Sequence, residues 1–419
     1  MVGPRLTQQV ANAFLPDPPD SLGVAVSGGG DSMALLHLLH GFCALHGARL
    51  HAVTVNHGLR AEAGAEAALV GRFCASLGIS HDVVVWENWD GTGNLQAEAR
   101  AARYKQMAIW AGKRGIQNIA LGHTADDQAE TVLMRLGRRS GVDGLAAMPR
   151  RMVRHGVSWV RPLLGASRHE LRTYLQDRRI DWCEDPSNED PKFERVKARR
   201  ALVALADLGI EARGLAIVAD QMAQARTALN WNTFLAAREL ATVDAGAVVL
   251  SERRMRILPK EIQRRLLVQA LRWISGATYP ARRAAIATLM TELGKGQGAT
   301  VEGCHARRIK GDIWVFREHA AVRNLTSTPD ELWDARWRLS PRNGDLDVAG
   351  MTVRALGPDG VEQCPGWRDA RRPHAVLLST PAVWRGDTVI AAPLAGNDQN
   401  WHADLDGGAE TFFAALLSH

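Results

Sequence analysis

Short apolar runs alternate with longer stretches of helical spacing through the first third of the chain. The runs at 22–26, 50–55, 82–86 and 118–121 are strand-length and bounded by polar or glycine-containing turns, which predicts strands. Between them, 33–45, 61–77 and 96–114 repeat apolar residues as helices do. Strands this apolar, separated by helices, pair in parallel with both faces of the sheet covered. Residues 1–210 are therefore expected to form an α/β domain with a doubly wound parallel sheet. From 215 to 293 the pattern is mostly helical, broken by a short strand near 248–250 and by Pro259. Strand-like runs follow near 300–301 and 313–316, and again at 351–355 and 389–392 among Pro, Gly and Trp. This predicts an α-rich domain over 215–320 and a small β-rich C-terminal domain over 330–419. No repeat of fixed period and no low-complexity tract is present.

A doubly wound sheet binds ligands outside the carboxyl ends of its strands. Three polar segments follow predicted strands there. The first is Ser27-Gly28-Gly29-Gly30-Asp31-Ser32, between the strand at 22–26 and a helix beginning near Met33. Consecutive glycines let the backbone approach an anion, and the N–H groups of the turn and the new helix bind phosphate oxygens. The loop lacks the Lys of a Walker A motif, so metal and distant arginines must meet the phosphate charge. The second is Asn56-His57-Gly58 and the third Gly122-His123-Thr124-Ala125-Asp126-Asp127. His123 and Asp127 are four residues apart and share a helix face. Taken singly, His123 and Asp126 read as helix caps. Beside a phosphate loop, a carboxylate reads as a magnesium ligand and a histidine as a phosphate donor or proton acceptor.

Charge adds a partner. The 419-residue chain carries a net +6, but residues 138–200 hold 15 Lys and Arg against 9 Asp and Glu, and residues 250–310 hold 13 against 4. The remainder is net acidic, so the positive charge sits in two blocks, as suits a polyanion such as RNA. Within the second block, Arg253, Arg254 and Arg256 are candidate phosphate contacts. The five cysteines, Cys43, Cys74, Cys183, Cys304 and Cys364, are scattered with no Cys-x-x-Cys pair. That argues against a disulfide framework, a zinc site or an iron–sulfur cluster, and for a reducing cytoplasm. No apolar run is long enough to span a membrane, and Asp17 and Asp20 interrupt any signal-peptide core.

Residues 27–32 match the SGGxDS loop of the N-type ATP pyrophosphatases, the PP-loop superfamily. Val55-Asn56-His57-Gly58-Leu59-Arg60, the segment 122–131, Ser140-Gly141-Val142-Asp143-Gly144-Leu145, Arg161-Pro162-Leu163-Leu164 and Glu184-Asp185-Pro186-Ser187-Asn188 narrow the match. With them the chain resembles the bacterial tRNA(Ile)-lysidine synthetases, strongly over 20–200 and more loosely beyond.

The resemblance implies a reaction and a cast. ATP adenylates the C2 carbonyl oxygen of the wobble cytidine in a CAU anticodon, and the ε-amino group of free lysine then displaces AMP. Ser27, Gly28, Gly29, Gly30, Asp31 and Ser32 would hold ATP, with Asn56 and His57 lining the nucleotide pocket. Asp31 and Asp127 would hold Mg²⁺. Asp31, His123, Asp127, Arg103 and Arg195 would be catalytic, the two arginines facing the α-phosphate. Family members usually carry Asn after the second arginine, where this chain has Val196. Partners are tRNA(Ile) and free L-lysine, with no membrane; a homodimer is left open. The competing readings are a PP-loop tRNA thiolase, which would need paired cysteines, a small-molecule amidotransferase, which has no use for two basic blocks, and a catalytically silent tRNA-binding protein.

Overall fold

In a computed structural model, which describes residues 2–56, 63–85, 95–184, 192, 194–342 and 348–417, the chain divides into two units, Met1–Arg226 and Thr227–His419. In the first, β1 (Ser21–Ala25), β2 (Arg49–Asn56), β3 (Ser80–Val85) and β4 (Asn118–Leu121) are the predicted strands. They alternate with α2 (Gly30–His46), α3 (Ala63–Ser76) and α4 (Leu95–Lys113), after an N-terminal α1 (Val2–Phe14). Then come α5 (Ala125–Gly137), α6 (Val142–Leu145), β5 (Arg151–Arg154), β6 (Val157–Val160), α7 (Arg168–Asp177), α8 (Glu194–Leu205) and the long α9 (Ala212–Leu240). The boundary between the units falls inside α9.

Strand order is β3-β2-β1-β4-β6-β5, parallel except for the antiparallel β5–β6 hairpin. That hairpin turns through His155 and Gly156, both at positive φ, the conformation a tight two-residue hairpin loop demands.

Alternation along β1 sends Leu22 and Val24 to one face and Gly23 and Ala25 to the other. The first face carries the larger core, where Met33, Leu36, Leu39 and Phe42 of α2 meet Leu6, Val10 and Phe14 of α1 and Leu171 and Leu175 of α7. α2 is apolar nearly all round because it lies between the sheet and two further helices. The second face packs Met107, Trp110 and Ala111 of α4 with Ile119 and Trp159. A Cβ on Gly23 would stand 3.1 Å from both Ile119 and Trp110, so the glycine is a packing requirement of this face. The expected α/β doubly wound sheet is what forms.

In the second unit, β7 (Ala241–Asp244), β8 (Ala247–Ser251), β9 (Ala299–Val301), β10 (Cys304–Ile309) and β11 (Asp312–Arg317) make a five-stranded antiparallel sheet ordered β7-β8-β11-β10-β9. α10 (Glu252–Met255), α11 (Lys260–Ser275) and α12 (Arg283–Gly294) belong to the same part, with Pro259 capping α11. The sheet is larger than its isolated apolar runs suggested, because β10 carries Arg307 and Arg308 and hides its alternation.

After α13 (His319–Val322) come β12 (Thr326–Ser327), β13 (Trp337–Pro341), β14 (Met351–Ala355), α14 (Gly357–Glu362), α15 (His374–Leu377), β15 (Pro381–Arg385), β16 (Thr388–Ala391) and β17 (Trp401–Leu405). They form a four-stranded and a two-stranded sheet. Trp333, Trp337, Trp384 and Trp401 are all buried in the cores of this part, alongside Leu339, Met351, Leu356 and Leu377, as is usual for Trp in a small domain. The last helix, α16 (Glu410–Leu417), returns Phe412, Phe413 and Leu416 to the core of α11 and α12.

Candidate active site

Strand order reverses between β1 and β4: the chain leaves β1 toward β2 and leaves β4 toward β6. The loops after these two strands therefore diverge and open a crevice, the place where such sheets bind ligands. Gly28 sits in the first loop at φ +86°, a conformation strained for any residue with a Cβ, and its carbonyl accepts the Cys183 N–H at 2.8 Å. Gly29 is extended and caps α2 without a side-chain bond, so the first N–H groups of α2 remain available to an anion. Ser32 locks the loop: its Oγ donates to Gly29 O at 2.8 Å and accepts from Ser27 N at 3.2 Å. A Cβ on Gly122 would lie 3.0 Å from Ser32 Cα and 3.1 Å from the Asp31 carbonyl, so this glycine lets the second motif close on the first.

α5 begins with a reciprocal cap. Asp127 Oδ2 accepts from Thr124 N at 2.9 Å and from Thr124 Oγ1 at 3.0 Å. That leaves Oδ1 facing the cleft, where it accepts from Arg168 Nη2 at 3.1 Å. Arg168 also donates from Nε to Asp31 Oδ2 at 3.1 Å. Glu130, one turn along α5 and 1% exposed, accepts from Arg199 of α8 at 3.0 Å and from Arg168 at 3.4 Å.

These contacts split the carboxylates. Burial pushes Asp31 up to about 6, with Arg168 pulling it down and Asp127 pushing it up. Burial also acts to raise Asp127, but Arg168, His123 and the Thr124 N–H outweigh it and hold the group below the usual carboxylate range. Burial, reinforced by Arg161, Arg103 and Arg100, pushes His123 well below its ordinary value, so the ring is neutral at physiological pH.

The resulting cleft has a volume of about 1260 Å³. It brings together Ser27, Gly29, Gly30, Asp31, Ser32, His123, Asp127, Arg103 and Arg195 of the expected residues. Val196, where the family pattern has Asn, is buried and lines it too. Asn56 ends β2, partly buried, and is not among the lining residues; His57 lies outside the described residues. Sequence reasoning missed Arg168, Glu130 and Arg199. Arg161, inside a quoted motif, is 2% exposed and structural: it donates to Pro149 O at 2.8 Å and to Tyr104 Oη at 3.3 Å.

Two buried polar atoms of this cleft, His123 Nδ1 and Glu130 Oε2, have no hydrogen-bond partner among the described residues. In a native cleft such atoms mark where a ligand or water completes the network. No cluster of three or more His, Cys, Asp or Glu side chains arranged for a metal occurs among the described residues. Two facing carboxylates beside a phosphate loop nonetheless suit Mg²⁺, which binds through one or two carboxylates plus substrate phosphates and water.

A PP-loop domain family matches residues 3–206. A tRNA(Ile)-lysidine synthase of Ruegeria pomeroyi is 49% identical over 418 residues, covering 99% of this chain and 98% of that protein. The chain belongs to the tRNA(Ile)-lysidine synthase family. A second member, from Wolbachia pipientis, is 34% identical and covers 89% of this chain and 88% of its own length. Among solved structures, a U34-tRNA thiolase of Methanococcus maripaludis is similar at a TM-score of 0.45 and 18% identity, over 52% of this chain and 77% of that one. Family membership makes the chain a carbon–nitrogen ligase that uses ATP, and sets the thiolase reading aside. The cysteines agree. All five are free thiols, four of them buried, and Cys183 alone lines the cleft.

The candidate tRNA contacts lie in the second unit. Arg253 is exposed, Arg254 donates to Glu239 O, and Arg256 pairs with Glu252 at 2.7 Å while keeping 68% of its side chain exposed.

Proposed function

We propose that this cleft adenylates the C2 carbonyl oxygen of the wobble cytidine in a CAU-anticodon isoleucine tRNA and then couples free lysine to the same carbon. In the first step the carbonyl oxygen bonds to the α-phosphorus of ATP and pyrophosphate leaves. In the second the lysine ε-amine bonds to C2, the C2–O bond breaks, and AMP departs with the oxygen as the amine loses its proton. The observation that carries the reading is the meeting of Asp31 and Asp127, from the first turns of the helices that follow adjacent strands β1 and β4, where the start of α2 has no side-chain cap.

Each residue has a task in this scheme. The glycine loop and the first N–H groups of α2 hold the leaving pyrophosphate. Arg103 and Arg195 stabilise charge on the α-phosphate during in-line attack. Neutral His123 accepts the amine proton or donates to phosphate. Asp31 and Asp127 hold Mg²⁺, which when bound offsets charge on the departing pyrophosphate. Arg253, Arg254 and Arg256 contact tRNA phosphates, with 215–320 and 330–419 as tRNA-binding domains. The setting is the cytoplasm, where free thiols persist and tRNA, ATP and lysine meet; no helix among the described residues is long and apolar enough to cross a membrane.

The test is a two-stage trap. Protein, tRNA and ATP labelled at the α-phosphate, without lysine, should give label on the tRNA and free pyrophosphate. Adding lysine should then release that label as AMP. Label never reaching the tRNA contradicts the adenylate.

A further inference from the structure

Arg168 bridges three acidic side chains of the cleft. Arg168 spans Asp31 Oδ2, Asp127 Oδ1 and Glu130 Oε1 through its Nε, Nη2 and Nη1 atoms at 3.1, 3.1 and 3.4 Å. The three acidic side chains are 22%, 11% and 1% exposed. Main-chain geometry fixes the arginine as well. Its N–H donates to Asp126 Oδ2 at 2.7 Å, and the reciprocal Ser167–Glu170 cap sets the start of the helix it projects from.

We propose that Arg168 is a built-in counter-ion that keeps Asp31 and Asp127 assembled without nucleotide and bars a divalent cation from binding them alone, so that metal enters only with the phosphates of ATP. This role rests on Asp31 and Asp127 being the metal ligands. Asp127 Oδ2 is already committed to Thr124, so the oxygen left for a metal is Oδ1, which Arg168 holds. A cation reaching Oδ1 and Asp31 Oδ2 therefore meets a guanidinium within contact distance, and like charges in a partly buried site repel strongly. Polyphosphate changes the balance. It brings the negative charge that a second cation needs, and the guanidinium fork matches phosphate as well as it matches carboxylate. Glu130 is not stranded when Arg168 turns away, because Arg199 holds the same carboxylate at 3.0 Å. Arg168 is thus a positioning residue for the metal site, and its displacement makes metal and nucleotide binding cooperative.

The experiment is Mn²⁺ uptake by the full-length protein, read from loss of the free-ion paramagnetic resonance signal, with and without a non-hydrolysable ATP analogue. Wild type should take up Mn²⁺ only with the analogue. Arg168→Met should bind Mn²⁺ without nucleotide at least roughly tenfold more tightly than wild type, once the opposing charge is gone. Its unfolding temperature should rise on adding Mn²⁺ alone, which wild type should not show. Arg168→Lys keeps a charge, and with it the fold, but cannot span both carboxylates; it should fall between the two. Equal nucleotide-free uptake by wild type and both variants overturns the counter-ion role while leaving the metal site standing. No uptake by any protein, even with the analogue, overturns the metal reading of Asp31 and Asp127 and the counter-ion role with it.

Discussion

Asp31 and Asp127 share one guanidinium yet titrate in opposite directions, and the difference is measurable. Asp31 rises from 3.8 to about 6 in the folded protein, so the folded state holds its proton longer than the unfolded chain does. Its ionisation therefore removes stability as pH climbs from about 4 to about 6, and the loss is complete above that. Asp127 lies below 3.8 when folded, so its ionisation adds stability that is present above that value and lost as pH falls through it. In EDTA at pH 7, Asp31→Asn should unfold at higher denaturant than wild type, and the gain should shrink toward pH 4.5. Asp127→Asn should instead lose about 1–3 kcal/mol, as removal of a buried charged hydrogen-bond acceptor does. Both should lower pyrophosphate release by orders of magnitude while remaining folded. Such a site trades stability for function. An Asp31→Asn protein less stable than wild type at pH 7 would count against this reading, and near-normal turnover of folded Asp127→Asn at limiting Mg²⁺ would remove its metal role.

Among the elements, the close approach of β4 to the start of α2 decides how well the phosphate loop is placed. Gly122→Ala puts a methyl 3.0 Å from Ser32 Cα, and backbone on both sides leaves no flexible neighbour to yield. Overpacking of this kind costs about 1–3 kcal/mol. The displaced helix start should cost roughly tenfold or more in kcat/KM for ATP, since small misplacements of binding groups are expensive. Unchanged ATP kinetics would show that the approach is not functional. The same region shows why some of the molecule was legible in the sequence. β1 and β4 are short, mostly apolar runs, and β2 keeps Leu50, Ala52, Val53 and Val55 around His51 and Thr54. Each is followed by a glycine-containing polar turn, so strand and loop could be read together. The β5–β6 hairpin is two four-residue strands, one of them bounded by Arg151 and Arg154, and gives no such run. Arg168 was invisible for another reason. Ser167 and Glu170 spell a helix cap, but the acids that Arg168 binds stand 137, 41 and 38 residues away, and only the fold brings them near.

For the whole molecule, the question is how a chain with a net +6 engages one tRNA. Replacing Arg253, Arg254 and Arg256 together by Gln should weaken tRNA binding without changing ATP-only properties. The salt dependence should flatten by about 0.7–0.9 for each phosphate that is no longer neutralised. Arg256, already paired with Glu252, should contribute least. An unchanged slope would make these charges a solvated face. Two tRNAs share the CAU anticodon, so anticodon bases cannot separate the isoleucine from the methionine species, and recognition elsewhere on the tRNA must. The decisive measurement is therefore incorporation of labelled lysine, with Mg²⁺ and ATP, into each of these two transcripts by the full-length protein. Label is expected at the wobble base of the isoleucine tRNA alone, with AMP and pyrophosphate released. Label in neither transcript, or equal label in both, would contradict the proposed reaction and its specificity.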